Sequence, residues 1–141
     1  MKNRLICGFF FLFCTALIVQ SCQNEDSINY KRYYVNGKGL YEKNCQNCHG
    51  ADGKGLGTLY PPLTDSTYLI TNQKRLACII RNGQNEQITI HNIAYQGQMP
   101  ANNTLADIDI AQIIVYISNS FENKQGYYDQ SDVAKDLAAC N

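Results

Sequence analysis

The sequence predicts an all-α domain of three or more helices with long loops and a possible small hairpin, folded round something other than its own side chains. Three observations carry this. Separate stretches place apolar residues at helical spacing, while only one short stretch alternates. A run rich in Gly and Pro, from Gly50 to Asp65, is longer than an idle loop in a compact domain. Just before it, "CQNCH" brings Cys45, Cys48 and His49 together.

The 141 residues suffice for one ordinary domain, and residues 1–21 stand apart from it. Lys2 and Arg4 precede an unbroken apolar run, "LICGFFFLFCTALIV", too short to span a bilayer comfortably, so the segment reads as an export signal. It runs into "VQSC", which resembles the lipobox at which bacterial lipoproteins are cut and acylated, with Gln20 as a departure. On this reading Cys22 is the lipidated N-terminus, and residues 22–34, polar and without helical periodicity, are a flexible tether reaching roughly 20 Å. The alternatives are an ordinary signal cut after a small residue and an uncleaved anchor helix. The expected location is a cell membrane, with the domain held by lipid and facing the periplasm. Acidic residues behind Cys22 also resemble surface-export signals of some Gram-negative lipoproteins.

Losing Lys2 and Arg4 leaves ten basic residues against twelve acidic, which argues against nucleic-acid binding. The seven cysteines sort themselves. Cys7 and Cys14 leave with the signal, Cys22 takes lipid, and Cys45 and Cys48 belong to the motif. Cys78 and Cys140 remain, and in an exported protein an even remainder predicts a disulfide.

The main domain is expected over residues 35–123. "VNGKGLYEKNCQNCH" is helical despite its two glycines, with Tyr41 and Cys45 on one face and Gly50 as a left-handed cap. After the Gly/Pro loop, "TNQKRLACIIRNG" forms a second helix, capped by Thr71 or Asn72, apolar at Leu76, Ile79 and Ile80, and stopped at Asn82-Gly83. "QITIHNIAYQGQMP" alternates and then turns at His91 and Asn92, a hairpin or extended loop. "TLADIDIAQIIVYISNSF" opens with a capping-box pattern, Thr104 and Asp107, and carries a broad apolar face through Ile110, Ile113, Ile114 and Ile117. Residues 124–141 are an extension in which Ser131 caps a short helix ending beside Cys140. Such elements make a poor core for about a hundred residues, so another group is needed in the middle.

Cys-x-x-Cys-His supplies that group: two thiols one helical turn apart meet the two vinyls of a haem, and the adjacent histidine meets its iron. A thioredoxin-like dithiol would need a βαβ setting that the sequence lacks, and half of a zinc site would need further ligands. Haem c, attached through Cys45 and Cys48 with His49 as proximal iron ligand, is the expectation. Met99 is the only methionine once Met1 is lost, and "GQMPA" presents it on a stiffened loop, which marks it as the sixth ligand. His91 is its rival. Tyr68 and Tyr95 are candidate haem neighbours.

These residues resemble a bacterial class I monohaem cytochrome c, and the likeness covers roughly Asn36 to Asn123. In "YPPL", Pro61 precedes Leu63 by two, as in the loop where this family's proline carbonyl accepts the proton of the haem histidine's second nitrogen. In "GKGLY", Gly37 and Tyr41 match the first helix, whose aromatic packs against the last, here through Tyr116. "ITIHNIAYQGQMPA" and "YISNSFEN" resemble a small respiratory subgroup found beside terminal oxidases and copper nitrite reductases, with Asn92 in place of its usual turn glycine. The resemblance implies the cytochrome c fold wrapped round one covalent haem c with iron. It also implies one-electron transfer between a redox protein donor and acceptor, such as a respiratory complex, oxidase or reductase, without catalysis. A haem enzyme or small-gas sensor with an open coordination position is the alternative; a fixed subunit of a larger complex is a third, with Tyr33, Tyr34, Tyr127 and Tyr128 as its docking face.

Overall fold

The computed structural model describes residues 25–140, so the export signal over 1–21 and the lipidation at Cys22 lie outside the described residues. The first helix, α1, spans Glu25–Asn44. It takes up most of the stretch expected as a flexible tether over 22–34. The reason is a stripe of aromatic rings: Tyr30, Tyr33 and Tyr34 continue the face of Gly37 and Tyr41, at helical spacing, and pack inward.

That face meets α5 (Asp107–Ile117) in the principal helix pair of the molecule. The helices approach so closely at Gly37 that a Cβ there would lie 1.9 Å from the Gln112 carbonyl oxygen. Tyr116 of α5 then packs between Tyr34 and Tyr41, with ring centroids 5.3 and 5.2 Å away. Seven of the eleven residues of α5 are buried, among them Ile110, Ile113, Ile114 and Ile117, so this helix is the middle of the core. It starts two residues later than expected. Asp109, rather than Asp107, accepts from the backbone of the N-terminal residue Ala106 (3.0 Å), while Thr104 turns its hydroxyl to Asn102.

Between these two helices the chain forms shorter elements. After a break at Cys45 comes the single turn α2 (Gln46–His49), where a continuous helix was expected. Gly50 follows with φ 80° but ψ 158°, an extended mirror-image conformation instead of a left-handed helical cap. Then α3 (Ser66–Thr71) is capped by Asp65, whose carboxylate accepts from Tyr68 N (3.0 Å), and α4 (Gln73–Asn82) follows from Asn72. Strands β1 (Ile88–Ile90) and β2 (Ile93–Tyr95) pair antiparallel, Ile90 opposite Ile93. The two-residue turn between them puts His91 and Asn92 at φ 49° and 62°, so Asn92 turns where glycine is usual.

The extension continues the same core. Helix α6 (Gln130–Ala138) packs on α4 and α5 and buries Val133 completely. Its cap is Asp129, which accepts from the backbone of Ser131 and Asp132, and not Ser131. Cys140 at its end is bonded to Cys78 of α4, sulfur to sulfur 2.03 Å. The four tyrosines expected on a docking face also make contacts within the fold: Tyr33 meets Tyr127 edge-on at 5.0 Å, Tyr34 stacks with Tyr30 and lies tilted against Tyr116, and Tyr128 donates to the Asp136 carboxylate, while Tyr127 remains exposed.

Candidate haem site

Between α1, α2, α4 and the loops runs a mostly apolar cleft, enclosing about 1300 Å³ of space between atoms with its open mouth included. Its inner surface comes from core residues such as Leu69, Leu76, Ile80, Leu105 and Ile113.

One wall carries Cys45, Cys48 and His49. The α1–α2 break delivers them together, and Tyr41 secures the turn by donating its hydroxyl to the Gly50 carbonyl (2.6 Å). His49 Nδ1 lies 3.0 Å from the Pro61 carbonyl oxygen. A carbonyl only accepts, so Nδ1 carries the hydrogen and Nε2 keeps its lone pair. Burial holds the imidazole below its ordinary pKa, partly offset by the bond to Pro61, so it is neutral, the form that binds a metal.

The thiol of Cys45 is pushed up to about 11 by burial and then by the neighbouring Cys48. A disulfide oxidoreductase needs the opposite shift. Among the described residues there is no group of three or more His, Cys, Asp or Glu that could hold a metal ion, which leaves a zinc centre without ligands. Two cysteines, an imidazole with a bare Nε2, and an apolar cleft together suit a haem.

Met99 lines the cleft from a different element, the loop after the hairpin. Its backbone pairs with Gln84 on both sides, N–H to carbonyl at 2.9 Å each way. The close fit depends on Gly83, whose φ is +78° and where a Cβ would stand 2.4 Å from the Met99 oxygen. His91 is elsewhere: it is exposed at the hairpin tip and its Nε2 lies 3.2 Å from the Asp65 carboxylate. Tyr68 and Tyr95 both line the cleft.

Two contributors are absent from the sequence reading. Asn123 is buried and donates from Nδ2 to the Leu63 and Ile117 carbonyls (2.8 and 3.0 Å), tying the Pro61 loop to the end of α5. Gln84 acts only through its backbone, so no side-chain pattern could mark it.

A small helical domain with two cysteines one turn apart, a neutral histidine fixed through a proline carbonyl, and a methionine on a separate loop has the pattern of a class I c-type cytochrome. Comparison with known proteins agrees. The Cytochrome c family profile matches residues 34–121, well over half of the chain, and the chain belongs to that family. It is also 36% identical over 77 residues to cytochrome c-554(548) of Halomonas halodenitrificans, a match covering 53% of this chain and 82% of the relative. The protein therefore binds one haem c covalently, with its iron, and serves electron transfer with redox partners.

Proposed function

We propose that this cytochrome is a lipid-tethered one-electron carrier of a respiratory chain, passing electrons from a membrane donor to an oxidase or reductase. Cys45 and Cys48 bond to the haem, and His49 and Met99 bind its iron. The observation that carries this reading is that His49 and Met99 line one apolar cleft from two separate elements, with the second nitrogen of His49 already engaged by Pro61. With both iron positions filled there is no place for a substrate, which favours a carrier over a catalyst.

The haem supplies the one-electron couple. The chain's own residues set its conditions. The Pro61 carbonyl fixes the imidazole ring and raises its basicity. Met99 sulfur favours ferrous iron and raises the potential relative to a second histidine. The apolar lining excludes water. Export and acylation at Cys22, which place the domain on the periplasmic side of a membrane, rest on residues 1–22 of the sequence.

The test is the optical spectrum of the haem-loaded protein, oxidised and reduced. A weak sulfur-to-iron band at the red end, lost in Met99→Ala together with a fall in reduction potential, is expected. High-spin iron that takes up carbon monoxide readily in the unaltered protein would instead favour a haem enzyme or gas sensor.

A further inference from the structure

Helix α1 has a second face. Tyr30, Tyr33, Tyr34, Gly37 and Tyr41 turn towards the domain, while Ile28, Lys31, Arg32 and Val35 are exposed on the side away from it. Ile28 and Val35 are 53% and 66% exposed, two of the largest apolar exposures among the described residues, and they stand seven positions apart on one stripe. Farther along that side Lys38 is paired with Glu42, and Glu25 opens the helix one turn before Ile28, so the charge between the two apolar residues is that of Lys31 and Arg32. Two apolar side chains flanking two cations would bind a membrane only weakly alone, but beside an acylated cysteine they can set how the helix lies on anionic headgroups.

The chain outside the described residues says where such a membrane would be. Cys22 lies only three positions before Glu25, where α1 begins. Extended, those three residues reach roughly 10 Å at most. An acylated Cys22 therefore brings the first turns of α1 to the headgroups and leaves no long tether on which the domain could swing.

Resting on the lipid-anchor reading above, we infer that α1 lies along the membrane with its outward face in the headgroup layer, Ile28 and Val35 towards the acyl boundary, Lys31 and Arg32 against lipid phosphates. Acyl chains supply the affinity and this face supplies the orientation. The cleft is then presented to membrane partners at a fixed angle, because Tyr41 at the cleft and Val35 at the membrane belong to one rigid helix.

The mature holoprotein has no other free thiol on this reading, since Cys22 is acylated, Cys45 and Cys48 hold haem, and Cys78 is bonded to Cys140. Ile28→Cys, Val35→Cys and, as a control on α6, Lys135→Cys can each carry a single nitroxide in the full-length lipidated protein. The three are reconstituted into vesicles of phosphatidylcholine and phosphatidylglycerol in equal parts, and collision with oxygen is compared with collision with a water-soluble nickel chelate. Positions 28 and 35 are expected to favour oxygen severalfold over position 135, and to similar depth. Adding Lys31→Glu and Arg32→Glu to the Ile28→Cys protein should bring position 28 towards the control, with the haem spectrum and acyl mass unchanged. A nitroxide at position 35 as accessible to nickel as at 135 overturns the inference, and an upright helix would show itself by depth at 28 alone. The mass of the N-terminal peptide separates the two readings: no acyl group on Cys22 overturns the anchor and this inference together, whereas acylated protein with a water-exposed position 35 overturns this inference only.

Discussion

The two walls of the cleft are held by different means. On the His49 wall, side chains share in the fixing: the Tyr41 hydroxyl holds the turn, the His49 ring bonds to the Pro61 carbonyl, and the Asn123 amide holds the Pro61 loop, while Gly55 N–H bonds back to the His49 carbonyl at 2.9 Å. On the Met99 wall the backbone does it, through the reciprocal pair with Gln84 and the bond from Asn102 N to the Ile80 carbonyl (3.2 Å). Histidine and its supports form a network in which one loss is shared among several bonds. Met99 rests on backbone approaches, the tightest of them at Gly83, so, with Met99 as the proposed iron ligand, ligand loss should begin on its side.

The comparison breaks altogether where both walls share a support. Gly37→Ala places a Cβ 1.9 Å from the Gln112 carbonyl and must force α1 and α5 apart. Overpacking of this kind costs about 3 kcal/mol, read as a thermal midpoint lower by roughly 10 °C or more. Both walls should fail together, with the haem absorption and the red band changing in one transition. A midpoint within a degree or two of the original would show that the helix pair yields more easily than its geometry implies.

The next effect separates the walls. The bond between Cys78 and Cys140 closes a loop across 62 positions and ties α6 to α4, the helix that leads into Gly83 and Gln84. Cys140→Ser should cost about 2–4 kcal/mol. Its loss should fall first on Met99, so the red band disappears on heating before the haem-attached His49 wall unfolds. Simultaneous loss would assign the bond to the whole domain and not to this wall.

A smaller and more local change is Gly83→Ala. At φ +78° and 2.4 Å from the Met99 oxygen, the added methyl strains one position by about 1–3 kcal/mol. Expressed as ligand exchange, that lets added imidazole displace Met99 and remove the red band at a concentration lower by about fivefold or more. Unchanged titration would mean that Met99 is held by something other than the Gly83–Gln84 approach.

How much of this the sequence discloses follows the same division. The His49 wall is local chemistry, with Cys45, Cys48 and His49 contiguous, and spacing alone exposes it. Pro61 needed a family resemblance, because a carbonyl acting from twelve residues away has no side-chain signature. The hairpin was legible because Asn tolerates the positive φ found at Asn92. Over residues 25–34 the tether was misjudged because polar residues hid the spacing of Tyr30, Tyr33 and Tyr34, which is the helical stripe that folds this part. Caps at Thr104 and Ser131 were misplaced by two residues each: the helices are capped at Ala106 and Asp129, where the Asp109 and Asp129 carboxylates accept from the first backbone N–H groups. Asn123 was invisible because its importance lies in being buried.

The smallest effect tests how far α6 itself, apart from its disulfide, supports the Met99 wall. Asp129 caps this helix, and hydrogen bonds, that of Ser131 foremost, hold its carboxyl below the usual aspartate range. A carboxylate with a lowered folded-state pKa stabilises above the unfolded value of about 4 and loses that stabilisation as pH falls through the folded value. Asp129→Ala should therefore cost about 1 kcal/mol at neutral pH, the cap hydrogen bonds supplying most of it because water screens an exposed charge. In denaturant titrations the gap between the two proteins should narrow steadily below pH 4. With Cys78–Cys140 intact, the red band at neutral pH should stay unchanged. If the band weakens even so, the folding of α6, and not the covalent link alone, positions α4 behind Met99, and the weaker wall of the cleft extends to the end of the chain.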